Sequence, residues 1–228
     1  MRRICALLLL MWFAVTALPV QAQAPAGITK AQRVEIERFA GNNSRFVIYH
    51  ELAHLLIDRF KLPVLGREED AADSMASWAL LNKDSDDANT ALADAAWGWV
   101  LTGAVYDDQM DDSDYAAGHS LDRQRALRIV CLMVGRDAKA FRAIANQYAL
   151  GTDRQRTCRD DYGLVDRSLV TLLGTAQEAS TTGTVVHITY HDAGPGLQWI
   201  ENAFRSSGAF DTVADDLRKN FTIGRAVK

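Results

Sequence analysis

Proline and glycine are scarce in this chain of 228 residues, which has only 4 prolines and 15 glycines. This scarcity excludes collagen-like and low-complexity sequences. An excess of one charge is also lacking, because 25 lysines and arginines nearly balance 29 aspartates and glutamates. The resulting net charge of −4 argues against a nucleic-acid-binding surface, so no nucleic-acid partner is expected. With 48% hydrophobic residues, the chain can form a globular domain with a substantial core.

The one long apolar run lies at the N-terminus, over residues 4–20, directly after two arginines. A positive start, a short apolar run and small residues at Ala22 and Ala24 are typical of a secretory signal peptide. We therefore predict a signal peptide over residues 1–22, cleaved after Ala22 or Ala24, and an exported protein that is periplasmic or secreted. An uncleaved anchor is the alternative, although the run is short for a spanning helix. After cleavage no stable membrane insertion is expected.

Cysteine is nearly absent, and signal cleavage would remove Cys5 from the three that the chain contains. Cys131 and Cys158 would then be the only thiols of a protein in an oxidising compartment. Such a pair favours one disulfide between them. Two unrelated buried thiols are the alternative.

Helical periodicity dominates the rest of the chain, because apolar residues recur about every 3.6 positions. The pattern predicts helices over residues 45–60, 68–81, 87–105, 121–134, 137–150, 159–173, 197–204 and 210–220. One possible strand, over residues 184–190, has the β-branched composition that strands favour, and it is a candidate substrate-binding edge. We predict a mainly α fold with little β-sheet. It would comprise a helical domain over residues 25–178 and a C-terminal strand and helix extension over residues 179–228.

Residues 50–54 read His50-Glu51-Leu52-Ala53-His54, an HExxH motif within the first predicted helix. Histidines four positions apart lie on one face of a helix, where both can bind one zinc ion. Glu51 lies beside that face and can take a proton from a water whose pKa zinc lowers to about 7. A surface helix with two ordinary histidines is the alternative. The apolar neighbours of the motif disfavour it, because buried histidines need partners.

A catalytic zinc site takes a third protein ligand, and no further histidine follows the motif closely. Glu69 comes fifteen residues after His54, at the start of the next predicted helix. Asp73 lies four positions beyond Glu69 and could accept the ring N–H of a ligating histidine. Because the helix register cannot be read from the sequence, Glu68, Asp70 and Asp73 remain alternative ligands. A charged, solvated helix start without any metal is also open.

Several blocks of the sequence resemble a bacterial family described as putative zinc metallopeptidases of unknown function. The blocks are residues 49–54, 62–64, 66–73 and 119–125, together with Cys131, Gly135, Cys158 and Tyr162. The family pattern is similar to that of the gluzincins, in which a glutamate on the following helix completes the zinc site. The resemblance implies a zincin-like helical metallopeptidase domain that holds one Zn²⁺ per chain.

By that resemblance, three roles carry over to this sequence. His50, His54 and Glu69 are expected as zinc ligands, Glu51 as the catalytic base, and Asp73 as the partner of a ligating histidine. His119 and Arg125 are candidates for a further role, because zinc peptidases commonly place a histidine, tyrosine or arginine opposite the metal to hold the oxyanion. A helix-capping histidine and an arginine paired with a buried carboxylate are the alternatives.

These patterns together predict an exported zinc-dependent hydrolase, in the first instance a peptidase that acts on peptides or proteins. A non-catalytic zinc-binding or structural envelope protein could use the same ligands. A cell-wall amidase would share the same zinc chemistry. The intact Glu51 favours catalysis, because a structural zinc site has no use for a general base.

Overall fold

The computed structural model describes residues 27–106, 110–177, 185–191, 194 and 197–221. Over these residues the chain forms nine helices. They are α1 (Lys30–Phe60), α2 (Glu68–Leu81), α3 (Asp86–Tyr106), α4 (Asp112–Tyr115), α5 (Asp122–Arg136), α6 (Ala138–Gln147), α7 (Thr152–Gln177), α8 (Gln198–Ser206) and α9 (Ala209–Asn220). The prediction of a mainly α fold is confirmed. The predicted signal peptide and the predicted domain boundary near residue 178 lie outside the described residues.

The predicted strand over residues 184–190 does not form in its described part. Within residues 185–190, Val186 makes an isolated bridge and the other residues form no regular secondary structure. A strand is stabilised by a ladder of hydrogen bonds to a neighbouring strand, and the described residues contain no second strand. The composition of this segment therefore overstated its β-structure.

Helix α1 begins at Lys30, well before the predicted start at residue 45. A capping box fixes this start, because the Thr29 side chain accepts the Gln32 amide N–H at 3.2 Å and the Gln32 side chain accepts the Thr29 amide N–H at 2.8 Å. The first half of α1 is largely polar and is held by polar contacts to α3. Asn42, for example, donates to Asp94 at 2.6 Å. Such polar contacts produce no apolar periodicity in the sequence, so the periodicity did not predict this part of the helix.

Helix α1 contributes to both of the apolar clusters that form the core. Phe46 and Tyr49 pack with residues of α2, α3 and α5, whereas Ala53 and Leu56 pack with residues of α2, α7 and α9. His50 lies between these two anchored turns. Burial on both sides therefore fixes the part of α1 that carries the HExxH motif.

Two close contacts hold α5 against α7. The sulfur atoms of Cys131 and Cys158 lie 2.04 Å apart and form the predicted disulfide. Gly135 sits so near α7 that a side-chain carbon at this position would lie only 2.7 Å from Cβ of Tyr162. Within the described residues, no helix has the length and apolar character needed to cross a membrane.

Candidate metal centre

The candidate metal centre forms where the middle of α1 meets the first turn of α2. His50 and His54 project from one face of α1, and Glu69 reaches them from α2. His50 Nε2 lies 3.1 Å from His54 Nε2 and 3.1 Å from Glu69 Oε2. His54 Nε2 lies 3.4 Å from the same carboxylate oxygen. Among the described residues, these three side chains form the group whose donor atoms could hold one metal ion.

A carboxylate stands behind each of the two imidazoles. His50 Nδ1 lies 2.8 Å from Asp73 Oδ1, and His54 Nδ1 lies 2.8 Å from Glu68 Oε1. In the neutral tautomer that donates its Nδ1–H to the carboxylate, each ring directs an Nε2 lone pair at Glu69. This is the arrangement that metal-ligating histidines commonly have.

The three converging atoms suit a zinc ion. Without a proton or a cation between them, two Nε2 lone pairs and a carboxylate oxygen would repel one another at these distances. Ligands held tetrahedrally at the usual zinc distances lie about 3.3 Å from one another, which agrees with the observed spacing of 3.1 to 3.4 Å. The chemistry of the donors therefore fits the ion that the sequence suggests.

A buried ion pair supports the His50 side of the centre. Arg125 donates from Nε to Asp73 Oδ2 at 2.7 Å and from a terminal nitrogen to Asp73 Oδ1 at 2.8 Å. The guanidinium carbon also lies 3.5 Å from the centre of the Trp99 ring. His50, Asp73 and Arg125 are 7%, 3% and 6% exposed, so the hydrogen bonds that join these three side chains are shielded from water.

The electrostatics of the cluster follow from these contacts. Burial alone would raise the pKa of Asp73, but the hydrogen bonds from Arg125 and His50 outweigh it and lower that pKa. Burial also acts to raise the pKa of Glu69, and the charges of His119, His54 and His50 lower it overall. For His54, burial acts to lower the pKa, but Glu68 and Glu69 outweigh this effect and raise the pKa overall. Asp73 and Glu69 are thus both favoured in their ionised forms.

His119 faces the centre from the loop that precedes α5. Its Nε2 lies 3.1 Å from Glu69 Oε2, and its side chain is 54% exposed. The loop is tied to α2, because Ser120 Oγ donates to Asp70 Oδ2 at 2.8 Å and Arg67 donates to Ser120 Oγ at 3.3 Å. His119 therefore stands on the solvent side of Glu69.

Glu51 lies on the exposed surface of α1 beside the histidine face. Within the described part of the chain, no hydrogen bond or ion pair engages its carboxylate. It also lines an apolar pocket between α1, the segment 186–189 and α9. A carboxylate that is accessible and not paired can accept a proton from a water at the centre.

Sequence reasoning thus anticipated most of the residues that meet here. His50, His54, Glu69 and Asp73 come together as expected, and His119 lies at the edge of the cluster. Arg125 is 6% exposed and pairs with Asp73, which agrees with the alternative of an arginine paired with a buried carboxylate. The roles of Glu68 behind His54 and of Trp99 beneath Arg125 were missed. The only sequence signal for Glu68 was its place next to Glu69 in the first turn of α2.

The fold and the centre together define a helical protein with a His–His–Glu cluster of the kind that metallopeptidases use. The chain belongs to a family described as "Putative metallopeptidase", whose family model matches residues 19–173. The match includes every residue of the cluster and ends within α7. No curated protein and no solved structure matches the chain significantly.

Proposed function

We propose that this protein is an exported zinc-dependent hydrolase, a peptidase that cleaves peptide or protein substrates. The observation that carries the proposal is the convergence of two imidazole nitrogens and one carboxylate oxygen, with a second carboxylate behind each imidazole. An accessible Glu51 next to these donors supports catalysis. Membership of the metallopeptidase family supports the same class of reaction.

The residues of the centre have different roles in this proposal. His50, His54 and Glu69 would hold the ion. Zinc bound there supplies Lewis-acid polarisation of the scissile carbonyl and activation of a water. Glu51 accepts the proton of that water and passes it to the nitrogen of the leaving amine.

Two further residues act around this step. His119 can donate a hydrogen bond to the oxyanion from the solvent side of Glu69, which is the role the sequence suggested for it. Arg125 is 6% exposed and its guanidinium is engaged by Asp73 and Trp99, so we assign it no direct contact with the substrate. It is a positioning residue that holds Asp73, and through Asp73 it fixes the ring of His50.

One observation favours a second candidate, a non-catalytic zinc site. His119 lies 3.1 Å from Glu69, and a small movement of its loop could bring it to the ion as a fourth ligand. A site closed in this way would be structural. A cell-wall amidase would instead keep the open site and differ only in its substrate.

The test compares the zinc-loaded full-length protein with Glu51→Gln on a mixed peptide pool and on peptidoglycan fragments. We expect the wild type to cleave peptides, and Glu51→Gln to retain one zinc while losing roughly 10²- to 10⁴-fold in rate. Glu35→Gln is the matched control, because Glu35 is an exposed glutamate of the same helix whose one ion-pair partner among the described residues is Arg38. Cleavage of the fragments alone would identify an amidase. A zinc-loaded wild type without activity on either substrate would favour the closed site.

A further inference from the structure

An apolar pocket of about 400 Å³ lies beside Glu51, on the side of this residue that faces away from the two histidines. Successive residues of an α-helix are turned by about 100°, so Glu51 lies between the His54 side of α1 and the side that carries Ile48 and Leu55. Ile48 and Leu55 form the floor of the pocket. The pocket therefore adjoins the side chain of Glu51, the proposed general base.

The segment 186–189 forms one wall of the pocket. Its side chains alternate, with Val186 and Ile188 half-buried and their neighbours exposed. The segment is anchored at Val186, its first residue, and at Tyr190, just beyond its last. Arg218 donates to the carbonyl oxygen of Val186 at 3.4 Å, and the ring of Tyr190 packs edge-on against Phe210 at 5.6 Å.

The opposite wall comes from α9, and the lining is chemically simple. Val213 and Leu217 add further apolar surface, and Glu51 and His187 are the only ionisable side chains among the described residues that line the pocket. Its volume lies within the range of small-ligand pockets. A leucine, isoleucine or phenylalanine side chain suits such a lining, whereas the carboxylate of Glu51 opposes an acidic one.

We infer that this pocket receives a large apolar side chain next to the scissile bond, so that the substrates are peptides with an aliphatic or aromatic residue at that position. The inference rests on the proposed function, since only a catalytic Glu51 places the reacting carbonyl at the mouth of the pocket. The wall segment lies outside the residues that the family model matches. The specificity would therefore be set by the C-terminal part of this chain.

The test uses zinc-loaded full-length protein and peptides that differ only in leucine, alanine or aspartate beside the cleaved bond. We expect the leucine peptide to exceed the alanine peptide by at least about 100-fold in kcat/KM, since even one extra methylene in an apolar pocket contributes roughly 10- to 200-fold. Ile188→Asp should reduce this preference to below about 10-fold. Val185→Asp is the matched control, because Val185 directly precedes this segment but is exposed and does not line the pocket.

A binding measurement separates this inference from the proposed function. Fluorescein-labelled versions of the same peptides are titrated with zinc-loaded Glu51→Gln protein and followed by anisotropy. Tighter binding of the leucine peptide, lost in Ile188→Asp but kept in Val185→Asp, supports the pocket even if the wild type cleaves nothing, which would overturn only the proposed function. Equal binding of all three peptides overturns the pocket inference. Equal effects of Ile188→Asp and Val185→Asp on binding also overturn it. A gain of activity on every peptide in Ile188→Asp overturns it as well, because the segment would then cover the site and inhibit it.

Discussion

Replacing Arg125 with methionine tests the buried support of the centre. Arg125 makes two hydrogen bonds, of 2.7 and 2.8 Å, to a carboxylate that is 3% exposed, and its guanidinium stacks on Trp99. Methionine keeps much of the volume but removes the charge. Asp73 would then be a buried carboxylate whose remaining partner is His50.

Breaking a buried ion pair by removing one partner costs about 3–5 kcal/mol, because the other charge is left without compensation. We expect Arg125→Met to lower the free energy of unfolding by this amount, a large share of the 5–15 kcal/mol that is typical of domains. The same change frees the Asp73 carboxylate to turn away from His50. Loss of such a partner weakens metal binding by about 10- to 100-fold.

Urea denaturation with a chelator present measures the first effect, and competition with a zinc chelator measures the second. Arg128→Met is the control, since Arg128 is exposed on the same helix and makes one 3.1 Å bond to Ser74; it should cost no more than about 1 kcal/mol. Adding Asp73→Asn to Arg125→Met should restore part of the stability by removing the uncompensated charge. The reasoning is refuted if Arg125→Met matches the wild type in stability, or if the double variant is less stable than Arg125→Met.

Three other predictions concern the same scaffold and centre. Replacing Cys131 and Cys158 with alanine should lower the free energy of unfolding by about 3.5 kcal/mol in a chemical denaturation, because the bond spans 27 positions of the chain; an unchanged midpoint would contradict this. Gly135→Ala should cost roughly 1–3 kcal/mol through its collision with α7, whereas Gly174→Ala, with open space around it, should be neutral or stabilising; equal midpoints would refute the close approach. Zinc affinity should fall as the pH is lowered, beginning above the ordinary histidine pKa of about 6.5, because the pKa of His54 is raised and protons then compete with the metal; a flat chelator-competition profile would contradict this.

The sequence predicted the helices that bury a regular apolar face and missed what polar contacts stabilise. Helix α2 begins and ends where the pattern placed it, at Glu68 and Leu81. The first half of α1 lacks an apolar stripe, so its capping box and its contacts to α3 became visible only in the fold. The segment 185–190 shows the opposite error, because its strand-like composition is accompanied by only one isolated bridge, at Val186.

The candidate site divides along similar lines. The fixed geometry of a helix was enough to place both histidines on one face and to bring Asp73 to the same face of α2 as Glu69. Contacts between helices that are distant in sequence could not be predicted from the helical periodicity. Arg125 meets Asp73 of α2 and Trp99 of α3 through the packing of α5 on these two helices, and no local periodicity carries that information.

Zinc binding by the full-length protein tests the central claim most directly. Plasma mass spectrometry after zinc loading and desalting should find one zinc per chain in the wild type. Glu69→Gln should lose the metal. Glu68→Gln, a change to the neighbouring residue that still leaves an acceptor for His54 Nδ1, should keep it with affinity weakened by about 10-fold. A wild type without zinc, or a Glu69→Gln protein that binds it as the wild type does, would contradict the proposed centre.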